Sequence, residues 1–103
     1  MDWAEMSEVS SAKYRDFVIV GMKPIMNYVV ACMTLFNAGS PVVRVRARGR
    51  NISKAVDAVE MLRRVFLKDI VVDKIDLGTE THTPPNRRET SVSTIEIRLI
   101  KPE

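Results

Sequence analysis

The chain has 103 residues, the length of one ordinary domain, and 46% of them are hydrophobic, which is enough for a packed core. It has a single cysteine, Cys32, which excludes an internal disulfide and lies in an apolar run typical of a buried thiol. No apolar stretch reaches the roughly 18 residues of a membrane span, and the first residues lack the apolar core of a secretory signal, so we expect a cytoplasmic protein.

The formal net charge of +3 is unevenly distributed along the chain. Residues 1–20 contain four acids and two basic residues, so they carry −2 and the remainder carries +5. No acid occurs between Asp16 and Asp57, a stretch that contains six basic residues: Lys23, Arg44, Arg46, Arg48, Arg50 and Lys54. Clustering of one sign is typical of a protein with a polyanionic partner.

The first element of the domain is expected to be a short strand. Residues 1–13 are polar and small and predict a flexible tail, followed by one domain over residues 14–103. Residues 15–20 read as a strand, which ends at Gly21.

A helix is predicted next. Pro24 suits the first turn of a helix, where its missing N–H costs nothing. The run from Ile25 to Phe36 is apolar on nearly every side, so this helix must be covered on more than one face, which predicts a dimer. Gly39 follows and is suited to a left-handed cap.

Within residues 42–48, small apolar residues and arginines alternate from Val43 onward. The pattern predicts a half-buried strand with a basic outer face. Its inward residues are Val43, Val45 and Ala47, and its outward residues are Arg44, Arg46 and Arg48.

A second helix is predicted after Gly49. Asn51 is placed to cap it. Apolar residues then recur at helical spacing, and they are Ile52, Ala55, Val56, Val59, Leu62 and Phe66.

Residues 70–80 and 92–100 predict two final strands joined by a long polar hairpin loop that carries Arg87 and Arg88. The element order is then β-α-β-α-β-β. This order predicts an α+β two-layer sandwich, in which both helices pack on one mixed sheet.

Two motifs resemble the Alba family of archaeal DNA- and RNA-binding chromatin proteins. They are RxRGRxISKAVD, from Arg46 to Asp57, and KPxMNY, from Lys23 to Tyr28, and the resemblance extends over residues 17–101. It implies the Alba fold, which is similar to the C-terminal domain of bacterial translation initiation factor three.

The resemblance implies a dimer that binds double-stranded DNA with little sequence preference and compacts it in the nucleoid, in association with the chromosome. An RNA-binding or RNA-chaperone role is one alternative, and a paralogue subunit that heterodimerises to tune DNA packing is another. Members of the family often carry two lysines before the proline, the first a target of acetylation. Met22 occupies that position here, which puts acetylation in doubt and favours the paralogue alternative.

The residues expected to bind nucleic acid fall into three groups. The basic strand and the turn after it supply cations and a helix N-terminus, and the family motif begins at Arg46, so it does not include Arg44. The start of the first helix supplies a lysine at the DNA surface by resemblance, with an asparagine and a tyrosine that either reach the backbone or form a buried pair. The hairpin loop that carries Arg87 and Arg88, which we call the arm, is expected to enter a minor groove. The full set is Lys23, Asn27, Tyr28, Arg46, Arg48, Arg50, Asn51, Arg87 and Arg88.

Phe66 has two interpretations. It is either a core residue at the end of the second helix or, as the resemblance implies, a contact between dimers side by side on DNA.

An enzyme is not expected. His82 is the only histidine and has no cysteine near it in sequence, so we expect no metal, no cofactor and no catalytic dyad. The carboxylates of Asp73, Asp76 and Glu80 are expected to be solvated rather than to form a general acid–base pair.

Overall fold

A computed structural model of the chain describes residues 17–85 and 88–102, and the tail expected at residues 1–13 lies outside them. A π-helical turn, Leu62–Phe66, continues the second helix. The elements are β1 (Phe17–Ile19), α1 (Ile25–Asn37), β2 (Val42–Arg48), α2 (Asn51–Met61), β3 (Val71–His82) and β4 (Thr90–Ile100). This order confirms the predicted β-α-β-α-β-β arrangement.

The four strands form one mixed sheet in the order β1-β2-β4-β3. β1 and β2 are parallel, whereas β4 is antiparallel to both of its neighbours. Both helices pack on one face of this sheet, which confirms the two-layer α+β prediction.

The core lies between the helices and the inner face of the sheet. Alternation along β2 is as predicted, since Val43, Val45 and Ala47 are buried and the arginines between them point to the outer face. β4 continues this face with three buried apolar residues, and α1 and α2 cover it. The residues that they contribute include Val29, Cys32, Phe36, Ala55, Val59, Leu62, Ile95, Ile97 and Leu99.

α1 ends in a Schellman motif. The N–H of Ser40 donates to the carbonyl of Leu35 at 3.1 Å, and the N–H of Gly39 donates to the carbonyl of Phe36 at 3.0 Å. Gly39 has φ of 102°, which a residue without a Cβ adopts most readily, so the predicted left-handed cap is confirmed.

The final hairpin is longer than the sequence predicted. Pairing between β3 and β4 continues to His82 opposite Thr90, so the connecting loop shrinks from the predicted residues 81–91 to residues 83–89. β-branched threonines suit a pleated strand, and the Thr90 hydroxyl donates to the His82 carbonyl at 3.1 Å at the end of the ladder.

The helices leave β3 largely uncovered. β3 packs along β4, and nearly all of its residues are exposed. Ile75 and Leu77 lie opposite Ile97 and Ile95, so they share the helix-facing side of the sheet, yet they remain 54% and 78% exposed. The inner face of the sheet therefore has an uncovered apolar strip at one edge.

Candidate nucleic-acid interface

Two helix-entering loops lie at the same edge of the sheet. Because β1 and β2 are parallel, their carboxyl ends share one edge, and each is followed by a short turn and a helix. The loop after β1 carries Lys23, and the turn after β2 carries Arg50. The positive ends of two helix dipoles and these side chains therefore meet at what we call the basic edge.

The loop before α1 is fixed from both sides of its backbone. The Tyr28 hydroxyl accepts hydrogen bonds from the N–H groups of Gly21 and Lys23, at 2.9 and 3.0 Å. The ammonium of Lys54 donates to the carbonyls of the same two residues, at 3.0 and 2.9 Å. Lys23, itself exposed, is therefore presented by a braced loop.

These hydrogen bonds distinguish Tyr28 from its neighbour Asn27. Tyr28 is buried, with its ring in the core and its hydroxyl on the loop backbone, so its place in the structure agrees with the buried alternative. Asn27 is exposed, so it does not form a buried pair with Tyr28. In the sequence, Lys54 indicates only a positive charge. Its contacts with the loop join residues more than 30 positions apart, so no local pattern predicts them.

The strand arginines do not form the bare row of cations that their sequence context suggested. Arg46 forms an ion pair with Glu96, its cross-strand partner on β4, and Arg44 lies 3.8 Å from the same carboxylate. The guanidinium of Arg46 also covers the Phe17 ring, 3.9 Å from its centroid. Glu96 is close to Arg46 in space but 50 positions away in sequence. A stretch of chain without acids therefore does not imply a surface without acids.

Arg48 differs from the other two because it lies where β2 reaches the basic edge. Its side chain is 60% exposed, against 28% for Arg46. Its partner is Glu80 of β3, whose carboxylate lies 3.0 Å from the guanidinium. The most exposed of the three strand arginines is therefore the one at the end of the strand.

The turn into α2 corrects one prediction. Asn51 is not the N-cap: Gly49 has φ of 58°, Arg50 is already in a near-helical conformation, and no side chain caps the helix by a hydrogen bond. The glycine turns the chain so tightly that the helix starts one residue earlier than expected. Asn51 thus occupies the first helical position, with its side chain half-buried.

A polar groove extends from this turn to the base of the β3–β4 hairpin. It is lined by Arg48, Gly49, Arg50, Asn51, Glu80, Thr81, His82, Thr90 and Val92. Arg88 is exposed in the loop beyond it, whereas Arg87 lies outside the described residues. The basic edge and the arm are therefore joined by one continuous surface.

Phe66 lies on the surface of the single chain. The Leu67 N–H donates to the Leu62 carbonyl at 2.8 Å, which is the spacing of a π-helical turn. That wider turn shifts Phe66 away from the core-facing stripe, and it is 40% exposed beside Val65 at 60%. The residue is therefore accessible for a contact between molecules.

Within residues 17–85 and 88–102, no three histidine, cysteine or acidic side chains are grouped to hold a metal ion. In the same ranges no helix is both long enough and apolar enough to cross a membrane.

Fold and site together define a small two-layer α+β protein with a cationic edge suited to a polyanion. The family model for Alba matches residues 16–79. The chain belongs to the Alba family, which confirms the resemblance carried by its motifs.

Individual relatives agree with this assignment. A protein of Methanothrix thermoacetophila named DNA/RNA-binding protein Alba is 55% identical over 84% of this chain and 96% of its own length. One of the same name from Methanocella arvoryzae is 46% identical over 82% of this chain and 88% of its own. The solved structure of Alba from Thermoplasma volcanium has a TM-score of 0.76 and 44% identity, covering 82% of this chain and 98% of the other.

Proposed function

We propose that this chain binds double-stranded DNA with little sequence preference and, as a dimer, coats and compacts chromosomal DNA. The observation that carries the proposal is the basic edge, where parallel strands bring Lys23, Arg48 and Arg50 to one side of the molecule. Two of its relatives are named DNA/RNA-binding proteins, which supports a nucleic acid as the polyanion.

Phosphates are the proposed contacts. The exposed side chains at the basic edge are mainly lysine and arginine, which bind phosphate, and they project from a braced loop and a tight turn. Sequence-specific proteins instead place base-reading side chains on a helix or ribbon in the major groove. Contact with phosphates alone carries no sequence information, which is why we expect binding to many sequences.

The β3–β4 arm is proposed to add minor-groove contacts. Arg88 is exposed in its loop, and the sequence places Arg87 next to it. The narrow minor groove of A·T-rich DNA concentrates negative potential, and arginine is the residue most often found there. The polar groove links this arm to the basic edge, so one duplex could contact both.

A dimer is proposed from the uncovered strip on β3. Ile75 and Leu77 face the helix side of the sheet without a helix above them. A second copy of the chain that covered this strip would bury apolar surface at about 25 cal/mol per Å². Two basic edges in one particle would then act together on a duplex.

RNA remains a second candidate ligand, because the names of both relatives include it and phosphate contacts do not distinguish the two polymers. The paralogue alternative is supported by Met22, which is 84% exposed beside Lys23 where the family often has a lysine. Mixing this chain with an Alba paralogue and weighing the complex tests that alternative.

The main test measures affinity for duplex DNA and duplex RNA of matched sequence across a range of salt concentrations. We expect log affinity for DNA to fall linearly with log salt, with a slope of about −0.9 for each phosphate contacted. A flat salt dependence, or a strong preference for one DNA sequence, would contradict the proposal. Tighter binding to RNA than to DNA at every salt concentration would favour the RNA candidate.

A further inference from the structure

Glu80 is an acid placed inside the proposed binding surface. It lies on the outer face of β3 opposite Val92, at the base of the arm. Its carboxylate is 3.0 Å from the guanidinium of Arg48, and it is the only acid lining the polar groove within the described residues. A nucleic-acid phosphate that reached Arg48 would therefore meet a carboxylate already bound there.

The pair formed by Glu80 and Arg48 is of the kind that exchanges easily. Their side chains are 44% and 60% exposed, and pairs so exposed are weakly held because water and salt screen them. The pair of Arg46 with Glu96 is different: both side chains are only about a quarter exposed, and the guanidinium also covers the Phe17 ring. That pair supports the sheet, whereas the Glu80 pair contributes little to it.

We propose that Glu80 is an intramolecular competitor for the phosphodiester backbone, which holds Arg48 when no nucleic acid is bound and lowers the affinity of the groove. This inference rests on the proposed function. A phosphate replaces the carboxylate on Arg48: the hydrogen bond from Arg48 to Glu80 is exchanged for one to the phosphate, no covalent bond changes, and the displaced carboxylate remains in the groove as a repulsive charge. Binding is consequently weaker and more readily reversed than the basic residues alone would give.

The test compares Glu80→Gln with a matched variant, Asp73→Asn. Each removes one negative charge from β3, and Asp73 also pairs with an arginine, Arg98, at 3.2 Å with similar exposure. Asp73 lies seven positions earlier on the strand, about 23 Å from Glu80 and away from the basic edge. Net charge changes equally in the two variants, so a difference in their affinity for DNA reports the effect of the acid's position.

We expect Glu80→Gln to bind duplex DNA roughly fivefold more tightly than wild type at low salt, and Asp73→Asn to bind within about twofold of it. The gain should shrink at high salt, and most of it should be lost when Arg48 is also changed to Ala, because only the repulsion between the carboxylate and phosphate then remains to be removed. Equal gains in the two variants, no gain in Glu80→Gln, or a gain that is undiminished without Arg48 would each overturn the inference. Thermal unfolding of every variant verifies that it is folded.

The same series separates failure of the inference from failure of the proposed function. If wild type binds DNA and Arg48→Ala weakens that binding, the proposed function stands whatever Glu80→Gln does. If wild type does not bind DNA at low salt, the proposed function itself fails.

Discussion

Lys54, in the first turn of α2, donates a hydrogen bond of 2.9 Å from its ammonium to the backbone carbonyl of Lys23, in the loop before α1. A second bond reaches Gly21, and Tyr28 holds the N–H groups of the same loop. Two basic residues of the family motifs thus have different roles: one presents a charge, and the other fixes the backbone that presents it.

Lys54→Met should therefore lower the affinity for DNA by more than the loss of one positive charge alone would lower it. The loop that carries Lys23 loses two charge-assisted hydrogen bonds, and we expect the free energy of unfolding to fall by about 1–2 kcal/mol. Fluorescence anisotropy on a DNA duplex measures the affinity, and amide hydrogen exchange at Lys23 measures the loosening of the loop.

Lys68→Met is the control, because Lys68 is exposed in the loop between the π-helical turn and β3 and its loss removes the same charge. Equal losses of affinity in the two variants, with unchanged exchange at Lys23, would show that Lys54 acts only through its charge.

Arg48→Ala combined with Arg50→Ala should cost more affinity than Arg87→Ala combined with Arg88→Ala. The first pair lies on a strand end and a tight turn, so little conformational entropy is lost when they bind, whereas Arg88 lies in the loop beyond the last residue pair of β3 and β4. The variant with Arg48→Ala and Arg50→Ala, called the edge variant, should bind all duplexes more weakly than wild type. Its salt slope should be flatter by about one for each phosphate that is no longer neutralised.

The variant with Arg87→Ala and Arg88→Ala, called the arm variant, should show its largest loss of affinity on A·T-rich duplexes, whose minor groove is narrow. Anisotropy on A·T-rich and G·C-rich duplexes at two salt concentrations measures both effects. Wild-type binding by the arm variant on every duplex would exclude the arm from the interface. Wild-type binding by the edge variant would remove the basis of the proposed function.

Local patterns in the sequence predicted most of the fold. The alternation within residues 42–48 is repeated in the burial of β2, and Gly39 forms the helix cap expected of it. Element ends were less accurate, because the pairing of His82 with Thr90 depends on the partner strand and not on either segment alone.

The candidate site was harder to predict because its decisive contacts are long-range. Glu96 is 50 positions from Arg46 and Glu80 is 32 from Arg48, so nothing local indicated that these arginines have acidic partners. The exposure of Phe66 depends on a π-helical turn, whereas its spacing from Leu62 fitted an ordinary α-helical stripe.

Cys32 gives a prediction about pH. Burial raises the pKa of its thiol from 9.0 to about 12. The thiol therefore stays neutral in the folded protein, and the stability that this difference contributes is present below pH 9.0 and is lost as pH rises toward 12.

Between about pH 9 and pH 10.5, wild type should lose about 2 kcal/mol of unfolding free energy relative to Cys32→Ala. Urea unfolding of both proteins measures this difference, in which the other titrating groups cancel. Parallel pH profiles for the two proteins would contradict it, as would rapid reaction of the native thiol with a disulfide reagent at neutral pH.

Phe66→Ala should leave a folded dimer but reduce cooperative coating of long DNA. The side chain is 40% exposed, so its truncation should cost about 1 kcal/mol rather than the 3–5 kcal/mol typical of a buried phenylalanine. Sedimentation reports the dimer, and the steepness of binding to long DNA reports cooperativity. A loss of stability in the buried range would instead make Phe66 a core residue.

Leu77→Lys and Val30→Lys together decide which apolar surface forms the dimer. The sequence attributed dimerisation to α1, whose Val30 is 51% exposed. The structure also has the uncovered strip on β3, where Leu77 is 78% exposed. Neither substitution buries a charge within one chain, so both variants should fold. Sedimentation near micromolar concentration should show wild type and Val30→Lys as dimers and Leu77→Lys as a monomer, because a dimer through β3 would bury the new ammonium without a partner. A dimeric Leu77→Lys beside a monomeric Val30→Lys would transfer the interface to α1, and a monomeric wild type would remove the dimer from the proposal.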